Sequence, residues 1–166
     1  ITVLEPAMKL TSMYDLKDAL CAGSNDGSIK VITSGGTTLI QYAISPHLSQ
    51  FLDSNLLANL FAGSYDIVVQ DALGCYQKEG KTIGEPAPLE ALTLPSSVVQ
   101  EICFDDKNAA FNILVSGGTL PYRIALDDPN GNYSTGTLSQ KQFDFKNLRG
   151  GTHTVYIQDA HDCTLD

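Results

Sequence analysis

Residues 28–37 read Ser-Ile-Lys-Val-Ile-Thr-Ser-Gly-Gly-Thr, and residues 110–119 read Ala-Phe-Asn-Ile-Leu-Val-Ser-Gly-Gly-Thr. Before the Gly-Gly pair, Ile29, Val31 and Thr33 alternate with the residues between them, and Phe111, Ile113 and Val115 do the same in the second stretch. This period of two predicts a half-buried β-strand that ends in a turn. Glycine suits such a turn because it adopts positive φ at little steric cost. We therefore predict a structural role for Gly35, Gly36, Gly117 and Gly118.

The duplication extends outward from this strand along the chain. A cysteine precedes each copy, a Leu-x-x-Gly-x-Tyr/His motif and an Asp-Ala-x-x-Cys motif follow it, and a Glu-Pro linker precedes the whole. The pairs are Cys21 and Cys103, 60–65 and 148–153, 71–75 and 159–163, and 5–6 and 85–86. Because the linker is repeated too, the sequence predicts a tandem array whose units stack end to end.

The predicted fold is all-β, with two tandem immunoglobulin-like antiparallel β-sandwich repeats. We expect residues 1–4 to be the tail of an upstream repeat, 5–86 to be the first repeat with its linker, and 87–166 to be the second. Only three residues follow Cys163, whereas the Cys75 motif is followed by a long segment before the next linker. The second repeat is therefore expected to be truncated before its last strand, as part of a longer array.

Further strands are predicted where short alternating segments recur. They are 41–44 with 123–126, 65–69 with 153–157, and 56–57 with 140–146. The leucine spacing within 47–60 also suits a helical turn, and that alternative stays open from the first repeat alone.

The Leu-x-x-Gly-x-Tyr motif has the spacing of a tyrosine corner, in which a Tyr near the start of a late strand returns its hydroxyl to the backbone. Gly63 and Tyr65 form this motif in the first repeat, and Gly151 and His153 take their places in the second. We expect all four to be structural, with His153 half-buried in place of the Tyr.

The charge of the chain limits its partners. Nine acidic and five basic residues lie in 1–89, and ten acidic and five basic residues lie in 90–166. An evenly acidic surface repels nucleic acid and anionic lipid. No apolar run approaches the roughly 20 residues that cross a bilayer. Neither nucleic-acid binding nor membrane insertion by this segment is therefore expected.

Taken together, these motifs resemble the SprB repeat. The resemblance rests on the order of the elements: a Cys before an Asp-containing turn, a strand ending in Gly-Gly-Thr, the Leu-x-x-Gly-x-Tyr motif, Asp-Ala-x-Gly-Cys and a Glu-Pro linker. It covers nearly the whole chain in two copies. The first repeat departs at residues 38–40, where the second has Leu-Pro-Tyr, and the second departs at His161 and Asp162, where the first has Leu-Gly.

SprB repeats occur in very large surface adhesins of gliding Bacteroidota. The resemblance implies export by the type IX secretion system and an extracellular, cell-surface location, with attachment to the outer membrane through other regions. It implies structural stalk repeats for gliding motility and surface attachment, which give length and mechanical strength. The implied partners are neighbouring repeats, and a polysaccharide or solid surface contacted by other parts of the protein.

The four cysteines are disulfide candidates in an extracellular chain. Two connectivities stay open. Cys21 pairs with Cys75 and Cys103 with Cys163 inside each repeat, or Cys21 pairs with Cys163 across the junction, which leaves Cys75 and Cys103 for neighbouring units. The second arises because an immunoglobulin-like topology places the two cysteines of one repeat at opposite poles. No Cys-x-x-Cys or nearby His completes a zinc site.

Residues that could serve three other functions also occur in the sequence. Asp105-Asp106 and Asp127-Asp128 are acidic pairs, but both lie in predicted turns, where Asp serves the backbone, and no enzyme or cofactor is predicted. Weak calcium candidates are Asp127, Asp128, Asn130 and Asn132, which lack a bidentate Glu and a twelve-residue loop. The alternative function is a spacer or carbohydrate-binding accessory module of a secreted multidomain hydrolase, although the chain has no Trp and only scattered Tyr.

Overall fold

The computed structural model describes residues 8–128, 130 and 133–165. The chain divides into two compact units, residues 1–85 (unit 1) and 86–166 (unit 2). Within the described residues every regular element is a β-strand, apart from one 3-10 turn at Pro95–Ser97. None of the described residues form a helix that is long and apolar enough to cross a bilayer. The all-β prediction is confirmed.

The described part of unit 1, from residue 8 onward, contains six strands in two antiparallel sheets. One sheet has the order β1-β2-β4 and the other has the order β3-β5-β6. The strands are β1 (Thr11–Lys17), β2 (Gly27–Ser34), β3 (Gln41–Ile44), β4 (Leu56–Leu60), β5 (Gly63–Gln70) and β6 (Tyr76–Ile83). The first, second and fourth strands thus form one sheet, and the third, fifth and sixth strands form the other. This is the arrangement of an immunoglobulin-like sandwich. It confirms the predicted fold class.

The alternation in the opening stretch of sequence produces the core of unit 1. Ile29 and Val31 on β2 are fully buried, whereas Ile32 on the opposite face of the strand is 52% exposed. Ile67 and Val69 on β5 meet them from the other sheet with no exposed surface. The remaining buried members of this core are Leu10, Tyr42, Leu57, Leu60 and Ile83.

Unit 2 repeats this arrangement with one added strand, and three of its strands, β7, β12 and β13, are shorter than their counterparts in unit 1. Its sheets have the orders β11-β8-β7 and β10-β9-β12-β13. The strands are β7 (Glu90–Thr93), β8 (Ala109–Ser116), β9 (Arg123–Leu126), β10 (Ser134–Thr135), β11 (Gln142–Leu148), β12 (Val155–Gln158) and β13 (Thr164–Leu165). The added strand β10 lies between β9 and β11 in the chain and pairs with β9. The strand β13 stands where unit 1 has the eight-residue β6.

The leucine-rich stretch within 47–60 ends in a strand. Leu56 to Leu60 form β4 with Leu57 buried, so the strand prediction is confirmed and the helical alternative is wrong. The strand bulges where Asn59 adopts a φ of 59°, and Asn147 has the same φ at the corresponding bulge of β11. Asn enters this left-handed region more readily than most residues, and one extra residue in a strand re-aims its end.

Candidate functional site

A buried carboxylate connects two turns at one end, or pole, of the unit 1 sandwich. The side chain of Asp71, which is only 5% exposed, accepts hydrogen bonds from three backbone N–H groups. Its Oδ2 accepts from Thr37 at 3.0 Å, and its Oδ1 accepts from Leu73 at 3.0 Å and Cys75 at 2.9 Å. The carboxylate thus joins the Gly-Gly-Thr turn after β2 to the Asp-Ala-x-x-Cys turn before β6.

Unit 2 builds the same arrangement with different neighbours. Asp159 is fully buried, and its carboxylate accepts from Thr119 at 2.8 Å, His161 at 2.8 Å and Cys163 at 3.0 Å. All three donors are main-chain groups, as in unit 1. We call each set, consisting of the Asp, the Gly-Gly-Thr turn and the turn that ends at the Cys, an Asp clamp.

Each Asp clamp also holds the segment that enters its unit. The Gly36 N–H donates to the carbonyl of Met8 at 3.1 Å, and the Gly118 N–H donates to the carbonyl of Ala87 at 2.8 Å. A Cβ on Gly35 or Gly117 would overlap the carbonyl oxygen of Lys9 or Pro88, and both glycines have positive φ, 72° and 73°. The Gly-Gly pair is therefore required both for backbone conformation and for close approach of the entering chain.

The hydrogen bonds of the Asp clamp favour the ionised carboxylate. The N–H of Thr37, followed by those of Cys75 and Leu73, lowers the pKa of Asp71 from its ordinary value, although burial opposes this effect. Sequence reasoning assigned no role to Asp71 or Asp159. A signal for this role was present in the Asp-Ala-x-x-Cys motif, because both copies keep the Asp while the residues between Ala and Cys differ. An Asp in a turn commonly accepts hydrogen bonds from main-chain N–H groups.

The opposite pole of unit 1 holds the segment that leaves it. The Ala19 N–H donates to the carbonyl of Gly84 at 2.9 Å, and the Gly84 N–H donates to Asp18 Oδ1 at 2.7 Å. The Gly23 N–H donates to Glu85 Oε2 at 2.5 Å. The Glu of the Glu-Pro linker is thus bonded to the turn between β1 and β2.

The late-strand motif forms a corner in both units. In unit 1 the Tyr65 hydroxyl donates to the Phe61 carbonyl at 2.9 Å, and Gly63 begins β5. In unit 2 His153 Nε2 lies 2.9 Å from the Arg149 carbonyl, four residues earlier as in the tyrosine corner. The His153 imidazole therefore takes the place of the Tyr65 phenol in a hydrogen bond to the carbonyl four residues earlier. Gly151 lies two residues before His153 and is not part of a strand.

His153 has a second partner that Tyr65 lacks. Its Nδ1 lies 2.7 Å from Asp127 Oδ2, and the other oxygen of Asp127 accepts the Thr154 N–H at 2.8 Å. Because both ring nitrogens have acceptors, the charged imidazolium is favoured over the neutral ring. The pKa of His153 is therefore raised, mainly by the hydrogen bond to Asp127 and secondly by the one to the Arg149 carbonyl. The bond from His153 lowers the pKa of Asp127 in turn.

Replacing His153 with Tyr is expected to remove a pH dependence from unit 2. A His whose pKa is raised by folding adds stability that is fully present below its unfolded pKa, about 6.5, and that is lost as pH rises through the folded value. In the unmodified protein the Tm of unit 2 should fall by about 3 °C between pH 6 and pH 9 from this pair. Differential scanning calorimetry of H153Y should show that fall abolished.

The matched control for this experiment is His47→Tyr in unit 1. His47 is exposed and has no side-chain hydrogen bond among the described residues, so its variant should keep the pH profile of the unmodified protein. A fall of the same size in H153Y would contradict a role for the pair of His153 and Asp127.

The calcium candidates of the sequence are engaged with protein groups or lie outside the described residues. Both oxygens of Asp127 have the partners given above, and Asp128 accepts the Asn130 N–H at 2.9 Å. Asn132 lies outside the described residues. Among the described residues no group of three or more His, Cys, Asp or Glu side chains is arranged to hold a metal ion. In the other acidic pair, Asp105 forms an ion pair with Arg149 at 2.8 Å.

The cysteines differ in state. Cys21 and Cys163 are each disulfide-bonded, whereas Cys75 and Cys103 are exposed free thiols. The pairing of Cys21 with Cys75 and of Cys103 with Cys163 is therefore not formed. In unit 1, Cys21 follows Ala19 beside the end of β6, while Cys75 immediately precedes the start of that strand.

Geometry explains why the pairing within unit 1 fails. The eight residues of β6 span roughly 26 Å, whereas a disulfide needs Cα atoms within about 7 Å. The pairing of Cys21 with Cys163 stays a prediction, and non-reducing peptide mapping tests it: a peptide containing Cys21 linked to one containing Cys75 would contradict it.

The segment from β1 to just beyond β3 is similar to a known repeat family. Residues 13–47 match the model of the SprB repeat. This stretch contains Cys21, β2 and the Gly-Gly-Thr turn, which are among the elements on which the resemblance to the SprB repeat rests, and the match confirms that resemblance. No curated protein matches the chain.

Solved structures of two multidomain proteins are similar to the chain. The three N-terminal domains of the highly immunogenic outer capsid protein (Hoc) of bacteriophage RB49 are 13% identical, with a TM-score of 0.49, covering 95% of this chain and 57% of that one. The chain thus spans just over half the length of that structure. Fibronectin(III)-like modules of Clostridium thermocellum CbhA are 10% identical, with a TM-score of 0.37 and coverage of 93% and 90%.

Proposed function

We propose that the two units are structural stalk repeats of a large secreted cell-surface adhesin, which serves gliding motility and surface attachment after export by type IX secretion. The observation that carries the proposal is the Asp clamp, built twice with the same three main-chain donors and the same hold on the entering chain. Duplication of a structural junction, rather than of a reactive group, is what a load-bearing array requires.

The hydrogen bonds of unit 1 lie where a pulling force would act. The entering chain is bonded to the Gly-Gly turn at Met8, and the leaving chain is bonded to the β1–β2 turn at Gly84 and Glu85. Between these points β1 pairs with β2 over seven residue pairs, and β5 pairs with β6 over eight. A force applied through both linkers therefore meets several hydrogen bonds before it reaches the core.

The acidic composition and the SprB match to residues 13–47 also support an extracellular repeat. Neighbouring repeats are the proposed partners of these units, and other parts of the protein contact the polysaccharide or solid surface. The proposed location is the cell surface, with association to the outer membrane through other regions.

Labelling of intact cells tests the proposal. An antibody against the two-unit protein should label intact cells of the source bacterium, and deletion of the gene should reduce both attachment to glass and gliding. The purified two-unit protein should neither compete with cells for the surface nor bind to a glycan array, because a stalk repeat carries the adhesive tip without being it.

Two results would overturn the stalk assignment. Labelling confined to lysed cells contradicts a surface location, and strong glycan-array binding favours a carbohydrate-binding accessory module. The flanking sequence provides an independent readout: many further units support a stalk, whereas one or two units beside a catalytic domain support the accessory module.

A further inference from the structure

The outward face of the β1-β2-β4 sheet of unit 1, which we call face 1, exposes a pair of large apolar side chains. Met13 on β1 and Ile32 on β2 are register partners, and they are 72% and 52% exposed. Both point away from the core, because alternate residues of a strand lie on opposite faces and Val31 is buried. Leu56 on β4 adds a third exposed apolar side chain to this face.

The corresponding face of unit 2, on the β11-β8-β7 sheet, exposes an apolar pair at the same place. We call it face 2. Leu92 on β7 and Leu114 on β8 are register partners, and they are 62% and 39% exposed. Leu114 follows Ile32 at the same distance along the chain that separates the two Gly-Gly turns. Both units thus keep a large apolar pair that points to water and that neither core requires.

The charged residues around the two apolar pairs differ in sign. On face 1 the row next to the pair contains Asp15 and Lys30, and the row beyond it contains Lys17. On face 2 the row on one side of the pair contains Glu90, and the row on the other side contains Asp144. Basic residues therefore outnumber acidic ones at the ladder positions of face 1, whereas the charged ladder positions of face 2 are all acidic.

These charges are available to a partner that lies over the face. Lys30, Glu90 and Asp144 are exposed, and the ion pairs of the described residues are made by other side chains. Asp15 is the register partner of Lys30, but the described residues form no ion pair between the two. Lys146, a cation close to face 2, lies in the bulge of β11 and not at a ladder position.

The size of one face indicates a weak contact. Three strands about 4.8 Å apart and about 26 Å long cover roughly 400 Å². This is about half of the 800 Å² or so that each partner buries in a standard stable interface. Two copies of a chain with a net charge of −9 also repel each other overall. A contact between copies therefore needs locally opposite charges, and its Kd should be on the order of 100 µM.

We propose that face 1 of one copy of this chain packs against face 2 of a second copy. The apolar pair of face 1 covers the apolar pair of face 2, as when two sheets pack face to face. Because acidic rows flank the apolar pair of face 2 on both sides, Lys30 meets Glu90 or Asp144 in either direction of packing. The proposal goes beyond the stalk function and does not depend on it.

Charge reversal tests this contact in the full two-unit protein. The thiols of Cys75 and Cys103 are first blocked with iodoacetamide, so that no disulfide links the copies. Sedimentation velocity of the unmodified protein should show reversible association between about 10 and 500 µM. Lys30→Glu reverses the charge of face 1, and Glu90→Lys combined with Asp144→Lys reverses that of face 2. Each of the two variant proteins alone should associate at least about fivefold more weakly, because like charges then oppose each other.

An equimolar mixture of the two variant proteins provides the decisive measurement. Face 1 of each variant then meets a face 2 of opposite charge on the other variant. The mixture should therefore associate about as strongly as the unmodified protein. This recovery also shows that the loss in the separate variants does not come from misfolding, and it distinguishes a contact of face 1 with face 2 from a contact between two identical faces.

Two matched controls lie away from both faces. Lys107→Glu makes the same change in net charge as Lys30→Glu at an exposed turn, and it should leave the association unchanged. Met13→Ser removes an apolar side chain from face 1 and should weaken the association about tenfold, because that side chain is then missing from the centre of the contact. Leu73→Ser makes a similar change at a pole of unit 1, where the side chain is also exposed, and it should have no effect.

Three results would overturn the inference. The first is an unmodified protein that stays monomeric up to about 500 µM. The second is a mixture of the two charge-reversed proteins that associates no more strongly than either protein alone. The third is a loss of association in Lys107→Glu or Leu73→Ser as large as in the matching variant of face 1.

Discussion

Asp71→Ala is expected to lower the Tm of unit 1 by about 10 °C or more. The substitution removes the acceptor of three main-chain N–H groups, those of Thr37, Leu73 and Cys75, in a place where the side chain is only 5% exposed. Donors left without acceptors away from water are destabilising beyond the loss of the bonds themselves. Calorimetry of the two-unit protein measures the effect on unit 1 separately from that on unit 2.

The matched control is Asp66→Ala, on β5 of the same unit. Asp66 forms an ion pair with Lys78 at 2.8 Å, but its side chain is 47% exposed, and such pairs contribute little in water. We expect its Tm to fall by less than about 3 °C. Equal losses in the two variants would contradict the Asp clamp.

The Asp clamp also predicts a dependence on acid. Because folding lowers the pKa of Asp71, its contribution is present above the unfolded value of about 3.9 and is lost as pH falls through the folded value. The difference in Tm between the unmodified protein and D71N should therefore shrink as pH falls below about 4. A difference that stays constant to low pH would show that the ionised carboxylate is not responsible.

Ile67→Ala is expected to reduce the free energy of unfolding of unit 1 by about 3 kcal/mol. Ile67 lies on β5 with no exposed surface, in the core between the two sheets, where the neighbouring strands can close only part of the space that the lost atoms leave. The loss includes both the transfer of the removed groups and the cavity that remains. Chemical denaturation followed by circular dichroism checks the value.

Ile32→Ala provides the same chemical change on the outer face of the sandwich. Ile32 is 52% exposed, so its replacement should cost less than about 1 kcal/mol. If the two alanine variants lost similar stability, the assignment of the inner face of the sandwich would be wrong.

The sequence was sufficient for the fold because its strongest signals are those of a sandwich. The alternation at Ile29, Val31 and Thr33, followed by glycines, predicted β2, and its repetition predicted β8. The second copy also resolved an ambiguity that the first left open, since residues 140–146 alternate as a strand and the leucines near Leu57 do form β4. The strands could be predicted because both signals, the period of two and the duplication, are read along the chain and require no knowledge of contacts between distant residues.

The hydrogen bonds of the site depended on contacts between distant segments, which no local pattern contains. Asp71 meets Thr37 across 34 residues, and Asp127 meets His153 across 26. Asp127 was considered as a calcium ligand because its neighbours are oxygen-rich, whereas its oxygens accept bonds from the corner His and from Thr154. The free thiols of Cys75 and Cys103, in contrast, agree with one of the two connectivities that the predicted topology left open.

The donors to the Asp clamp are all main-chain groups, and this has a consequence for how such a chain can diversify. Thr37, Leu73 and Cys75 contribute their amides, and His161 stands in unit 2 where Leu73 stands in unit 1 without loss of the bond. Side chains around the clamp can therefore drift while its geometry persists. Adjacent copies that differ in sequence are less prone to exchange strands with one another during synthesis, a failure typical of repeat proteins.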